Sequence, residues 1–227
     1  MNILKKLVFL LIASLICGAA SFLTQAQDYD EDEYLCHIIK FRKAWAGKTI
    51  NVTPTRDGSI GVKDFARAFA STYRQDGYMT NEILEYFADP TGYIRNYGED
   101  IIVDYKPNNG YFVIQSYGDG DSFEMCYWNR NNGHKLVGIQ WGQEIDCDAF
   151  FTVFYDYDPN TSTLVPEVNL TQKLEQNYGH RSSYEDNPFI NVLVHFPVTG
   201  KDLTVLLYSS NQSITLHWDG MTFTELQ

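Results

Sequence analysis

The chain has 227 residues, among them 4 Trp, 16 Tyr and 14 Phe, and a formal charge of −12 from 29 acidic against 17 basic side chains. That surplus of acid argues against nucleic acid or anionic membrane as the main partner, because both are held by concentrated Lys and Arg. The aromatic content excludes a disordered chain, and 44% apolar residues suffice for a packed core.

The N-terminus points to export. Lys5 and Lys6 precede an apolar run from Leu7 to Ile16, and small residues follow, which is the layout of a secretory signal peptide. The run is broken at Gly18 and ends near Leu23, so it falls short of the roughly 20 apolar residues of a spanning helix. The expectation is a signal over residues 1–26, cleaved after Ala26 with Ala20 as the alternative. The mature protein is then secreted or periplasmic, with no stable membrane insertion. Lipid attachment at Cys17 is disfavoured by the bulky Ile16 before it. Cleavage removes two lysines and no acid. It leaves Asp28, Asp30, Glu31, Asp32 and Glu33 near the new terminus, where dense like charge stays solvated and predicts a disordered acidic tip over 27–33. Residues 34–227 read as one domain.

Taken in order, Tyr34 to Trp45 reads as a short helix and residues 47–60, with Gly47, Pro54, Asp57 and Gly58, as a loop. Val62, Phe65, Ala66, Phe69 and Tyr73 then form one apolar stripe at helical spacing. Thr80 can cap a second helix running to Phe87, and Asp89-Pro90 stops it. From residue 100 the period becomes two. A type I′ turn at Asn109-Gly110 sets Tyr105 beside Ile114 and gathers Ile101, Val103, Tyr105, Phe112 and Ile114 on one face. The same reading at Asn132-Gly133 sets Trp128 opposite Val137, Cys126 opposite Ile139, and Glu124 opposite Trp141. Phe123, Met125 and Tyr127 then share the other face, which is either an exposed patch or the floor under the helices. Phe123 and Tyr127 are the candidate binding residues. Further strands are expected at Phe150–Tyr155, Leu164–Val168, Ile190–Phe196, Leu203–Tyr208, Ile214–Trp218 and Met221–Thr224. A mobile polar stretch is expected over 170–188, with a short helix near Gln172–Gln176. The fold class is α+β: N-terminal amphipathic helices packed on a mainly antiparallel, hairpin-rich β-sheet.

Motifs with chemistry are few. Asp156, Asp158, Asn160, Ser162 and Glu167 carry the oxygen spacing of a calcium loop. However, Thr161 stands where the sharp bend needs glycine, Pro159 precedes it, and strands flank the segment. A turn over Asp158–Thr161 accounts for the same residues. Gly118-Asp119-Gly120-Asp121 reads as a turn in the same way. Three cysteines survive signal cleavage, and they allow either a Cys126–Cys147 bridge or three reduced, buried thiols. A thiol nucleophile needs a neighbouring His. Cys36 and His37 point apart on a helix, Cys126 faces Ile139 and not His134, and His195 and His217 sit within strands. No CxxC, GxSxG, HExxH, P-loop or dinucleotide fingerprint occurs, so no cofactor is expected. The residues therefore favour a non-enzymatic exported module binding a glycan or an envelope or extracellular protein. A hydrolase using carboxylates or a thiol is the alternative.

Three phrases, Thr24-Gln25-Ala26-Gln27, Glu124-Met125-Cys126-Tyr127-Trp128 and the segment from Phe154 to Pro159, resemble uncharacterised secreted proteins of Bacteroidetes-type bacteria. The resemblance implies a host compartment and carries no activity and no site residues.

Overall fold

The computed structural model describes residues 41, 44–55, 59–74, 78–117, 120–143, 149–179, 192–207 and 210–225. The signal segment, the acidic tip, most of the expected first helix, Cys36, Cys147, Gly118-Asp119 and residues 180–188 lie outside them. Among the described residues no helix is long and apolar enough to cross a membrane.

The fold is α+β and rich in antiparallel strands. The larger sheet holds β1 (Ile50–Asn51), β2 (Ile101–Lys106), β3 (Tyr111–Ser116), β4 (Ser122–Asn129), β5 (Lys135–Gln143), β6 (Ala149–Asp158) and β7 (Thr163–Pro166). Their order is β1-β7-β6-β5-β4-β3-β2, so every neighbour from β2 to β7 follows the last along the chain. The smaller sheet runs β11-β10-β9-β8, from β8 (Val194–His195), β9 (Leu203–Leu207), β10 (Gln212–Trp218) and β11 (Phe223–Glu225). Four helices complete the described chain: α1 (Val62–Thr72), α2 (Tyr78–Ala88), α3 (Pro90–Tyr97) and α4 (Val168–Leu174).

Burial explains why the strands carry so little polar residue. On one face of the larger sheet Phe112, Ile114, Phe123, Met125, Ile139, Trp141, Phe151 and Val153 are buried. The stripe of α1 meets them: Phe69 packs on Phe123 at 5.3 Å and on Trp141 at 5.8 Å, and Phe65 on Tyr157 at 5.0 Å. From α2, Phe87 reaches Phe112 at 4.8 Å. On the other face Cys126, Trp128, Leu136 and Phe154 join Leu203, Val205, Leu216, Trp218 and Phe223 of the smaller sheet in one cluster. A strand covered on both faces has no solvent side to mark with polar residues, so β4 reads as an almost continuous apolar run.

The two hairpins depart from the expected turns in different ways. Between β2 and β3 the loop has four residues, with a 3₁₀ turn over Pro107–Asn109 and Gly110 left-handed at φ 68°. Tyr105 therefore faces Phe112, two residues from the expected partner. A slip of two keeps every side chain on its face, and Val103, Tyr105, Phe112 and Ile114 share one as expected. Between β4 and β5, Gly133 donates to the Arg130 carbonyl at 3.1 Å and Arg130 donates to that of His134 at 2.9 Å. With Gly133 at φ 86°, this is a type I turn closed by a glycine bulge, one residue longer than the two-residue turn. The slip is one residue, and it reverses the faces. Phe123 pairs with Trp141, Met125 with Ile139 and Tyr127 with Val137, whereas Trp128 pairs with Leu136 and Cys126 with Gly138. The expected grouping of Cys126 and Trp128 with Val137, Ile139 and Trp141 is thus corrected: both tryptophans are buried, but on opposite faces.

Asp89-Pro90 ends one helix and starts another. The Asp89 carboxylate accepts the Gly92 amide at 3.0 Å, and Pro90 takes the first helical position, where its missing N–H costs nothing. The turn reading at Asp158–Thr161 holds, since Asp158 Oδ1 accepts the Asn160 amide at 2.8 Å between β6 and β7. The outer acids of that calcium-like spacing have a cation of their own. Arg130 donates to Asp156 and, at 3.0 Å, to Glu167, and its Nε donates to the Met221 carbonyl at 3.0 Å.

One polar row interrupts the apolar interface between the sheets. Thr152, Gln140 and Glu124 are direct neighbours across β6, β5 and β4. The Thr152 hydroxyl donates to the Val192 carbonyl at 2.6 Å, and Gln140 Oε1 accepts the Val194 amide at 2.9 Å. Glu124 accepts the Phe196 amide. Asn109 Nδ2 continues the row by donating to the Val198 carbonyl at 2.7 Å. Residues 192, 194, 196 and 198 alternate, and Leu193 between them bonds to Leu206 of β9. The segment therefore spends one edge on its own sheet and the other on a ladder of side chains, so the free edge of the smaller sheet is covered.

Candidate functional site

Among the described residues, a broad concavity lies on the helix side. It is a cleft of about 690 Å³ between Thr55, residues 59–64 and the ends of β2 and β4, with Thr55, Ser59, Lys63, Tyr105 and Tyr127 among its lining residues. Its walls are built locally. The Asp64 carboxylate, in the first turn of α1, accepts the Gly61 amide at 3.0 Å, the Thr55 amide at 2.7 Å and the Thr55 hydroxyl. A buried carboxylate must be satisfied; here its three bonds pin the entering chain to the helix, and they fix the rim of the cleft.

Tyr127 is positioned by neighbours from the β2–β3 loop, β5 and α1. A Cβ at Gly110 would lie 2.7 Å from the Tyr127 ring, so only a glycine leaves room for it. From β5, Lys135 Nζ sits 4.5 Å from the ring centre, and Phe65 meets the ring edge-on at 5.6 Å. Tyr105 is held by Phe87, edge-on at 5.4 Å. Burial raises the pKa of both phenols, helped at Tyr105 by Tyr86, Asp64 and Tyr127 and at Tyr127 by Cys126. They remain neutral hydroxyls able to donate and accept. The cleft thus offers two fixed phenols, the hydroxyls of Thr55 and Ser59, and one ammonium group from Lys63.

Of the two candidate binding residues, the structure separates the pair. Phe123 is 0% exposed beneath Phe69, as is Met125, so both are floor under α1 and no ligand reaches them. Tyr127 shares their face but lies beyond the start of α1, half-buried in the cleft. Sequence reasoning missed Tyr105, Lys63, Thr55 and Ser59. Tyr105 was grouped with the core because alternation reports a face, and its place on the outermost strand is a property of strand order.

The groups that could serve a hydrolase are differently occupied. Cys126 is unbridged and buried, its Sγ 3.8 Å from the Pro197 carbonyl. Burial, with Glu124 beside it, pushes its thiol up to about 12, the opposite direction from an activated nucleophile. Of the two alternatives, the reduced, buried thiol holds for Cys126, and Cys147 lies outside the described residues. Asp156 and Glu167 are joined through Arg130. His134 Nδ1 lies 2.6 Å from Asp156, and exposed His217 lies 3.0 Å from Asp202. Among the described residues no cluster of His, Cys, Asp and Glu could hold a metal ion. A second cavity, of about 250 Å³, opens at the mouth between the sheets beside Asn109, Cys126, Trp128, Lys201 and Trp218.

In comparison with known proteins, no family model, no curated protein and no solved structure matches the chain.

Proposed function

We propose that this chain is an exported, non-enzymatic binding module whose ligand site is the cleft at Tyr105 and Tyr127, and whose ligand is a glycan. One observation carries the reading: two immobilised phenols converge with Thr55, Ser59 and Lys63 in an open cleft. Such a mixture of donors, acceptors and aromatic carbon suits a hydroxyl-rich ligand that presents many weak partners at once. The secretory layout of the N-terminus and the resemblance to secreted bacterial proteins support a periplasmic or extracellular setting. There a glycan or an envelope protein is the partner to hand.

Calorimetric titration of the mature protein against a panel of soluble oligosaccharides tests the proposal. Binding of at least one member, weakened tenfold or more by Tyr127→Ala, is the expected result. A panel that fails entirely, or a Tyr127→Ala variant that binds as well as the parent, overturns it. Release of reducing ends from a bound oligosaccharide favours the hydrolase alternative instead.

A further inference from the structure

The polar row across the larger sheet contains one group that titrates. Glu124 lies between the sheets with its side chain partly buried, where the Tyr111 hydroxyl and the Phe196 amide donate to its carboxylate. From its own strand Cys126 faces it, and from β5 its direct neighbour is the neutral Gln140. Tyr111 comes from β3, with Asp104 of β2 acting on that tyrosine from behind. From the segment 192–198 it meets the Phe196 amide, while His195, the titratable side chain there, is exposed. Among the described residues, none of the groups acting on the carboxylate is a cation. An ionised carboxylate in such a place has no counter-charge to offset the loss of water.

The other rungs are neutral and always available: the Thr152 hydroxyl on Val192, the Gln140 carbonyl on Val194 and the Asn109 amide on Val198. Beyond these rungs the segment has little backbone support, because β8 pairs with β9 over only Val194 and His195. We propose that the Thr152–Gln140–Glu124 row is a proton-operated clasp on residues 192–198, closed when Glu124 carries a proton and loosened when it loses it. Loosening widens the cavity at the mouth between the sheets, which Cys126 and Trp128 already line. The row lies on the opposite face of the larger sheet from the ligand cleft, and Tyr127 is a lining residue common to that cleft and the mouth cavity.

The direction follows from linkage. Burial raises Glu124 from 4.5 to about 7 in the closed state, against the pull of its two hydrogen bonds. An opened, solvated Glu124 returns toward its ordinary value. The closed state is therefore favoured in full below about pH 4.5. Its advantage shrinks up to tenfold per pH unit toward pH 7 and then levels off.

Hydrogen exchange of the mature protein, read as protection factors at the Val194 and Phe196 amides between pH 5 and pH 8.5, tests the clasp. Protection is expected to fall roughly fortyfold from pH 5 to pH 7 and to plateau about a unit above. The Phe65 and Phe69 amides of α1 should hold steady, and Glu124→Gln should abolish the trend. Tyr111→Phe, which removes a bond to the ionised form, should carry the fall to higher pH before the plateau. Protection that is flat with pH, a Glu124→Gln variant that titrates as the parent does, or α1 amides that fall in step overturns the proposal. So does a plateau that Tyr111→Phe leaves in place.

Discussion

At the scale of single residues, glycine and one carboxylate set the terms. Gly110 is both left-handed and in contact with the Tyr127 ring. Gly110→Ala therefore strains the backbone and displaces a phenol of the cleft at once. We expect a loss of about 1–3 kcal/mol of stability, measured by chemical denaturation, together with weaker ligand binding. Gly138 acts at the seam between sheets, where a Cβ would meet Phe196 at 2.9 Å and Phe154 at 3.0 Å. Glu124 makes a prediction with a sign. Its folded-state pKa lies above the unfolded one, so its contribution is present below about pH 4.5 and is lost as pH rises to about 7. Equilibrium unfolding should show the parent losing roughly 3 kcal/mol across that window relative to Glu124→Gln. Parallel pH curves for the two proteins would contradict the buried, unpaired setting of this carboxylate.

At the scale of elements, loop length decides which face a residue meets. Alternation in β2 and β3 was legible in the sequence, and the four-residue loop at Pro107–Gly110 left the face assignment intact because it shifted the pairing by two. At Arg130–His134 the same Asn-Gly pair predicts a type I′ turn, yet Gly133 serves a glycine bulge and the shift is one. Nothing local distinguishes the two uses, since both ask Gly for positive φ. The distinction comes from burial on both faces, which makes either register of β4 apolar. The stripe of α1 was legible for the opposite reason: Lys63 and Arg67 mark a solvent side, and Phe65 and Phe69 the covered one. The start of α3 is not legible in the sequence, because Pro90 reads as a stop although proline is equally at home in a first turn. The cleft was legible only at Tyr127, because Thr55 and Lys63 come to it through the Asp64 bonds. Removing those bonds tests that dependence. Asp64→Ala should cost about 1–2 kcal/mol as a lost first-turn anchor and weaken ligand binding beyond its effect on stability. Titration well below the unfolding temperature separates the two effects.

At the scale of the whole molecule, the central sheet is a shared wall with a different interface on each side. The helix side is mainly apolar, with the Tyr73 and Tyr155 hydroxyls meeting inside it, and the cleft opens beyond the start of α1. The opposite side carries the polar row and, at its rim, the Arg130 group. Arg130 ties the β4–β5 turn to Asp156, Glu167 and the Met221 carbonyl, and Asn131 donates to the Gly220 carbonyl at 2.9 Å beside it. This joins the two sheets by charge where apolar contact runs out. With the Arg130 side chain only 10% exposed, Arg130→Met would leave two carboxylates facing each other without their cation. A loss of about 2–4 kcal/mol is expected, with the β10–β11 turn loosening first in hydrogen exchange. A change below about 0.5 kcal/mol would reduce the group to an ordinary surface ion pair.

The claim on which the functional account rests is the location of the ligand site. Backbone chemical shifts of the mature protein, followed as a binding oligosaccharide is added, test it most directly. The largest changes are expected at Thr55, Ser59, Lys63, Tyr105 and Tyr127, with little change across β9 and β10. Changes confined to the smaller sheet or to the Asn109–Trp218 cavity, or spread evenly over the surface, would contradict it.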